Sequence, residues 1–564
     1  MQLAVHQDDA DILLKERNQL NESILDKYRV AGQIAQTGLK YVISLINDSY
    51  HLGKTETPYT CQELCVMGDS MVTRLLAKVY NTDIREKGIS NPVSIELNEI
   101  VGNFAPEIDD ASKFTFNAGD IVTVTLGVHI DGYAANVSHT VVIYPQGVTI
   151  DKELKPPGPL LGSKADSICA AHIATETVVA LLGMALTPEK LPTQLDPNNT
   201  KLVTGKQIRN IVNSIAESFN CTVVPGSKVR RIRRFLAGQA EGVVAEKDFK
   251  GVVWSESDQE ELLLNKYNKN DDQQLVLHNK QGSEFTNNSS AIPTDEFVVA
   301  ADEVYNVDIK MCSTSDFKEL GLVTLEEIDE FTGLNNKTNE FKTRSTIYIR
   351  DYAVNYQLRL KNSRSLLGKI DKEFTVFPFK LSHTSPSFPA TNSQDLATLK
   401  KELVANKLGL SELANRHLIN AKPIQVTKFI PFETILKTSN PTGKHGIDSN
   451  KPALPGMEIP LPNLGISSLK LKALLKNSSS IANARELTTV ILNSFNNANE
   501  VIRLTGGNNS APCWVHSDYL LNPQCKESVD HLLQLTKDKR FGIKVKECQP
   551  MKLTADAPES MQMD

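Results

Sequence analysis

The stretch GDIVTVTLGVHIDGYAANVSHTVVIYP, which begins at Gly119, constrains the fold more than any other part of this sequence. Apolar and polar residues alternate on both sides of a central Asp-Gly dipeptide, which favours a two-residue turn, so the pattern predicts a β-hairpin. Counting outward from the turn pairs Thr125 with Ser138. Asn136 then lies on the same face as Thr125, as a diagonal neighbour roughly 7–8 Å away, and one ligand would contact both side chains.

Helical and strand patterns flank this hairpin on both sides. Apolar residues at steps of three and four predict helices at 11–47, 60–80, 164–186, 205–219, 363–374 and 396–408. Runs typical of strands lie at 89–106, 295–313 and 483–493. The mixture predicts an α/β (α+β) fold.

The chain is interpreted as a single domain over residues 1–564, with a core at about 11–545. Stretches rich in Asn, Ser, Gly and Pro predict long surface insertions at about 262–290 and 437–482. The tail at about 554–564 is expected to be disordered.

Composition excludes several classes of function. The formal net charge is -6, whereas a protein that coats nucleic acid indiscriminately would be basic. The eight cysteines show no paired spacing typical of a zinc site, and we expect them to be reduced thiols. The N-terminus lacks the apolar run of a signal peptide, and no window approaches about 18 uninterrupted apolar residues, so we expect no membrane association and a location in cytoplasm, nucleus or both.

The hairpin and the order of elements resemble the methionine-aminopeptidase family, whose pita-bread fold is shared with creatinase-like proteins. The residues that carry the resemblance are Gly119, Asp120, Leu126, Gly127, His129 and Gly132. In that family two aspartates of the hairpin bind a pair of metal ions, and these positions fall on Thr125 and Asn136. The resemblance therefore implies a dinuclear site without its first two carboxylates.

The other functional positions of the family are also altered. Asn103 takes the place of the active-site histidine, and no histidine at all lies between His172 and His278, where a ligand is expected. Asp308 takes the position of one glutamate ligand, although alone it is more often a hydrogen-bonded strand carboxylate. The last glutamate falls on Leu487, or on Glu486 after a slip of one residue. We therefore expect no catalytic residue, no bound metal and no cofactor.

Several blocks resemble a catalytically silent branch of the family, which comprises the proliferation-associated (ErbB-receptor-binding) proteins and the associated-with-ribosomal-export-complex proteins. These blocks include KYRVAGQIA, LGVHIDGYAANVSHT, KADSICAAH and TIYIRDYAVNYQLRLKNSR. The resemblance implies a nuclear export factor that binds late precursors of the large ribosomal subunit near the peptide exit tunnel. It implies contacts with rRNA, ribosomal proteins, nuclear pore proteins and other export and maturation factors, and shuttling between nucleus and cytoplasm.

One basic stretch is suited to binding RNA, independently of the family resemblance. Five positive charges lie within seven residues, at Lys228, Arg230, Arg231, Arg233 and Arg234. Arginine binds phosphate oxygens in a fork geometry, so the stretch is a candidate RNA contact beside the lost histidine ligand. A nuclear import signal and an ordinary solvated surface are the alternatives. A second, weaker set comprises Arg359, Lys361, Arg364, Lys369 and Lys372.

Two other functions remain open at this point. One is a metallopeptidase with an altered site that uses Asp308, Glu486 and a histidine from elsewhere in the chain. The other is a protein that binds peptides without cleaving them. Metal analysis distinguishes the first from a binding factor.

Overall fold

The computed structural model describes residues 12 and 16–551, except 81–83, 85, 111, 151–152, 156–157, 198, 236–249, 257, 260–261, 264–294, 329–343, 440–473, 476–477, 511 and 539. The expected insertions at about 262–290 and 437–482 and the tail at about 554–564 lie almost wholly outside these residues. Their boundaries therefore stay predictions.

A ten-stranded sheet forms the centre of the described structure. Its strands are β1 Lys87–Leu97, β3 Ile121–Ile130, β4 Tyr133–Val142, β7 Cys221–Val223, β8 Lys228–Ile232, β9 Gly251–Val253, β10 Val304–Ser313, β17 Ala484–Asn493, β18 Glu500–Arg503 and β19 Val545–Glu547. The main path runs β1-β3-β4-β17-β10-β8-β9, β7 pairs with β10, and β18 joins β17 to β19. The late strand β17 thus lies between β4 and β10, joining elements far apart in sequence.

The predicted hairpin has the predicted register. β3 and β4 meet through a two-residue turn in which Asp131 and Gly132 have φ values of 54° and 79°. Positive φ at both central positions is what a tight turn between twisted strands requires, and it explains the Asp-Gly sequence. Thr125 pairs with Ser138, and Asn136 follows on the same face.

The described residues form eight α-helices, five of which pack on one face of this sheet. The eight helices are α1 Glu22–Ile46, α2 Cys61–Leu76, α3 Ser163–Gly183, α4 Gly205–Ser218, α5 Lys361–Glu373, α6 Ser393–Asn415, α7 Phe432–Ser439 and α8 Pro523–Lys537. Val124 and Leu126 of β3 pack in one core with α1 and α2, and Val307 and Ile309 of β10 pack in a second core with α3, α4 and α8. Side chains alternate along a strand, so Thr125 and Asp308 lie on the opposite face.

The helix α3 is long and apolar enough, with the short turn that follows it, to cross a membrane by length and composition. In its most apolar window 72% of the residues are buried inside the protein. Such burial is typical of a central helix packed between a sheet and other helices.

Smaller sheets pack around the central one. A four-stranded sheet contains β2 Ile100–Gly102, β11 Gly321–Ile328, β15 Ile424–Pro431 and β16 Ser479–Ser480. The strands β12 Ile347–Arg350, β13 Phe379–Lys380 and β14 Ile419–Ala421 form a third sheet beside α5 and α6, and β5 Val148–Ile150 pairs with β6 Glu153–Lys155. Val101 and Phe429 of the four-stranded sheet pack against Cys312, so this sheet covers part of the helix-free face of β10.

Candidate functional site

A row of paired residues crosses the helix-free face of the central sheet. Thr125 pairs with Ser138, Ser138 with Leu487, and Leu487 with Asp308. All four side chains are buried. The structure therefore brings together three of the positions at which the family resemblance places metal ligands, and Asn136 lies two residues along β4 on the same face.

The oxygen atoms of Thr125 and Asn136 are engaged by other side chains. Thr125 Oγ1 lies 2.7 Å from Ser138 Oγ and donates to Glu96 Oε2 at 3.0 Å. Asn136 Oδ1 accepts a 2.7 Å hydrogen bond from Ser90. Gly127 leaves room for this amide, since a Cβ there would lie 2.0 Å from Asn136 Oδ1. Both side chains are thus integrated into the sheet.

Asp308 binds an arginine. Its two carboxylate oxygens accept hydrogen bonds of 2.7 and 2.9 Å from Nε and Nη2 of Arg485, which lies two residues before Leu487 on β17. Burial alone favours the neutral carboxyl, but Arg485 and neighbouring lysines outweigh it and hold the pKa of Asp308 below its ordinary value. The pair is bidentate and charge-assisted, the strongest geometry available to these two groups.

Glu96 is the second carboxylate of this site. It accepts hydrogen bonds from Ser94 and Thr125. Burial raises its pKa, while the nearby guanidinium of Arg485 opposes that shift. Arg485 therefore interacts with both buried carboxylates, and its pKa is raised by them against the effect of burial. A cation fixed to the chain serves here as the counter-charge that metal ions supply in a dinuclear site.

Lysines add further positive charge. Burial lowers the pKa of Lys310 and that of Lys422 to about 8 each, and Lys228 contributes to both shifts. Around its two carboxylates the site thus includes Arg485 and the three lysines Lys228, Lys310 and Lys422. A divalent ion would be repelled by this field, so the residues present do not fit a metal pair. Among the described residues, no group of three or more His, Cys, Asp or Glu side chains could hold a metal ion.

The alternative assignment of the last ligand to Glu486 is wrong. Leu487 pairs with Asp308, so Glu486 points to the helix-covered face of the sheet. There its carboxylate lies 2.9 Å from His139 Nδ1. A site that combines Asp308 with Glu486 would need groups from opposite faces of one sheet.

Asn103 and His129 have structural contacts. Asn103, which has a φ of 64°, donates from Nδ2 to the carbonyl of Pro423 at 2.8 Å and so ties β2 to the segment before β15. His129 is buried and stacks on Phe377 with ring centroids 3.9 Å apart. Burial lowers the pKa of His129 to about 3, so the ring is neutral at physiological pH.

The structure does not present the basic stretch from Lys228 to Arg234, the candidate RNA contact, as one exposed patch. The stretch forms most of β8, an internal strand, and both Arg230 and Arg231 are buried. Arg231 lies 3.2 Å from Glu303, and Arg234 forms an ion pair of 2.5 Å with Asp131.

The register explains where these side chains lie. Lys228 pairs with Asp308, and Arg230 pairs with Asn306 two residues away, so both face the degenerate site. Arg233 is partly buried just beyond the end of β8. Lys228 and Arg230 therefore contribute positive charge to the degenerate site.

Four charged residues of the site, Arg485, Glu96, Lys310 and Lys422, were not predicted from the sequence. Two of them carried a usable signal: Arg485 and Lys310 lie two residues from Leu487 and Asp308, so strand alternation puts them on the same face. Glu96 and Lys422 carried none, since their position depends on how β1 and the segment before β15 fold over the site.

Comparison with known proteins places the chain in a named family. No protein-family model matches the chain. The chain is 98% identical over 564 residues to a Debaryomyces hansenii protein named "Probable metalloprotease ARX1", with 100% of both chains covered. A Saccharomyces cerevisiae protein of the same name is 49% identical over 582 residues, covering 98% of this chain and 97% of that protein. A solved structure of a thermophilic Arx1 matches 91% of this chain and 98% of its own, with a TM-score of 0.52 and 15% identity.

The fold shared with that structure confirms the predicted α/β pita-bread architecture. The relatives' name and the fold both indicate a peptidase-like scaffold, and its metal positions here are taken by Thr125, Asn136, Leu487 and an aspartate bound to arginine. Since identity reaches 98% and 49% over essentially whole chains, this protein belongs to the Arx1 family of peptidase-like pita-bread proteins.

Proposed function

We propose that this protein is a non-enzymatic assembly and nuclear export factor that binds late precursors of the large ribosomal subunit near the peptide exit tunnel. In this proposal its partners are rRNA and ribosomal proteins near the tunnel, nuclear pore proteins, and other export and maturation factors. It moves between nucleus and cytoplasm. The ribosomal part of the proposal is supported by the sequence resemblance to the silent branch of the family.

The observation that carries the non-enzymatic part is the bidentate pair between Asp308 and Arg485. Metallopeptidases of this fold need metal ions to generate a nucleophile from water. Arg485 supplies positive charge, but a guanidinium has no coordination position at which water could be activated. A peptidase-like scaffold without that chemistry is suited to binding.

A surface suited to rRNA lies on and before α5. Arg359, Lys361, Arg364 and Lys372 are exposed, and Lys369 is partly buried beside them. Exposed Tyr352 and Tyr356 precede the helix. Basic side chains bind phosphates, and aromatic rings stack on bases, so this surface replaces the stretch from Lys228 to Arg234 as the proposed RNA contact.

Sedimentation tests the proposal directly. Purified protein is mixed with large or small ribosomal subunits and centrifuged through a sucrose gradient. We expect it to move with large subunits and not with small ones, and depletion in cells should retain a tagged large-subunit protein in the nucleus. Equal binding to both subunits, or unchanged export after depletion, contradicts the proposal.

A metallopeptidase is the second candidate function, because the relatives are named as one. Elemental analysis and an assay on peptides with N-terminal methionine distinguish it. We expect neither metal nor cleavage, including in the double variant Thr125→Asp with Asn136→Asp, because Arg485 and Lys310 remain in the site. About two metal ions per chain, lost in Asp308→Ala, would establish the peptidase instead.

A further inference from the structure

A strip of exposed apolar side chains lies on the segment that leads into α8. Trp514 is 50% exposed, Leu520 is 83% exposed, and Leu161 is 62% exposed on the neighbouring segment. Tyr519 is 38% exposed beside them. We call Leu161, Trp514, Tyr519 and Leu520 the Trp514 strip. The other tryptophan of the chain, Trp254, is buried and hydrogen-bonded to Asn213, so the exposure of Trp514 is unusual within this protein.

Hydrogen bonds to the backbone hold Trp514 in its exposed position. The carbonyl of Trp514 accepts hydrogen bonds from Leu160 N at 3.1 Å and from Tyr144 Oη at 2.7 Å. Leu160 also accepts a 2.9 Å bond from His516 N, which forms a short parallel bridge around Val515. Since the backbone is held on both sides, the indole is presented to solvent on a rigid support.

Alternation along this segment separates an inner from an outer face. Cys513, Val515 and Leu521 pack against the core formed by α3, α4 and α8. Trp514 and Leu520 point outward from the same segment. Further along, Asn522 N donates to Ser218 Oγ at 3.1 Å, so the segment is fastened at its end as well. Such preorganised aromatic and aliphatic side chains are typical of protein docking surfaces.

The charge beside the strip is negative. Asp166 accepts a hydrogen bond from Ser517 and lies close enough to Asp518 and Asp316 for both to raise its pKa, in addition to the effect of burial. Asp518 is fully exposed and Asp316 is exposed. RNA and anionic lipid would be repelled here, whereas a basic partner would be attracted.

We propose that the Trp514 strip binds a basic amphipathic segment of a partner protein, with its apolar side chains against Trp514 and Leu520 and its lysines or arginines towards Asp518 and Asp316. This inference is independent of the degenerate site and of the proposed rRNA surface. It assigns a second, acidic surface of the protein to a second kind of partner.

The intrinsic fluorescence of Trp514 provides the test, because Trp254 is buried. Two tryptophan-free synthetic peptides share the same leucines at helical spacing, and their polar positions are all lysine in one and all glutamate in the other. We expect the lysine peptide to shift the emission to shorter wavelength, with an affinity that falls as salt rises, and the glutamate peptide to have no effect.

Variants test whether the peptide binds at the Trp514 strip. Leu161→Ser with Leu520→Ser keeps the reporter and should weaken binding about tenfold, since one well-packed anchor contributes that much. Asp518→Lys should weaken binding several-fold at low salt. The matched control is Val404→Ser with Leu408→Ser, which removes equally exposed side chains of α6 and should leave the affinity unchanged.

Several outcomes overturn the inference. These are no emission shift with the lysine peptide, equal binding of both peptides, or an equal loss in the α6 control. A shift that appears without peptide as protein concentration rises means that a second copy covers the strip. A shift with an RNA oligonucleotide means that the charge argument is wrong.

Discussion

The segments 228–234 and 359–372 each contain five basic residues, yet they occupy opposite environments. The first forms an internal strand, and Arg230 and Arg231 are buried there. The second begins in a loop and continues on α5, where four of the five side chains are exposed. In the first segment Arg231 and Arg234 are paired with carboxylates of the protein, whereas in the second segment four side chains remain exposed to a partner.

This difference follows from what surrounds each segment. β8 lies between β10 and β9, so its side chains meet those of neighbouring strands on both faces. Arg231 accordingly lies against Glu303, and Lys228 is paired with Asp308 in the register. The exposed face of α5 has no such layer above it in the described part of the chain. A cluster of basic residues therefore predicts an exposed basic surface only after the helix or strand that contains it has been placed in the fold.

The largest expected effect comes from breaking the buried pair at the degenerate site. Arg485→Met should lower the free energy of unfolding by about 3–5 kcal/mol, because Asp308 would remain charged and buried without its partner. Urea denaturation measures the change. The double variant Arg485→Met with Asp308→Asn should recover much of the loss, since it removes both charges. If the single variant is as stable as the parent protein, Arg485 is not the counter-charge of this site.

Only part of the site that contains this pair can be predicted from the sequence alone. The hairpin and its register, which place Thr125 and Asn136 on one face, follow from local alternation and one turn, and they were predicted. Asp308 and Leu487 were assigned to the site through the family resemblance. The role of Arg485 depends on β17 pairing with β10 across some 180 residues. Non-local pairing of that kind leaves no periodic signal, and for the same reason the burial of β8 was missed.

A smaller loss of stability is expected from a substitution in the basic strand β8 itself. Arg231→Met should lower the free energy of unfolding by about 2–3 kcal/mol, because Glu303 loses one buried cation. Glu303 keeps Lys250 and Tyr305 as partners, which limits the effect. Arg364→Met on α5 is the matched control and should change stability by less than about 0.5 kcal/mol. Equal losses in the two variants would remove the distinction between an inner and an outer basic segment.

The contribution of Lys310 to stability should depend on pH. Its pKa in the folded protein is about 8, below the ordinary value near 10.5, because burial disfavours the charged amine. Between these two values the unfolded chain binds the proton more tightly, so the Lys310 contribution makes the free energy of unfolding rise with pH across this window. Below pH 8 the folded protein bears the full cost of the buried charge.

Lys310→Met should therefore raise the free energy of unfolding by about 1–2 kcal/mol at pH 7, and by less at pH 10. Denaturation at the two pH values measures both effects. Lys372→Met, an exposed lysine of α5, should show no such pH-dependent difference. A loss of stability at pH 7 in Lys310→Met would mean that its attraction to Asp308 exceeds the cost of burying it.

The smallest effect on stability, and the largest on binding, is expected at the outer segment. Arg359, Lys361, Arg364 and Lys372 are exposed, so replacing all four with glutamine should leave the unfolding temperature nearly unchanged, since exposed charges contribute little to folding. If they contact rRNA phosphates, each lost contact should reduce the slope of log affinity against log salt by roughly one unit. Binding to large subunits, titrated at several salt concentrations, should then be weaker and less dependent on salt. The control is Lys400→Gln with Lys401→Gln, two exposed lysines of the adjacent α6, which should behave like the parent protein. A fourfold variant with unchanged slope means that the outer charges are ordinary surface charges, and the rRNA contact must then be sought elsewhere on the molecule.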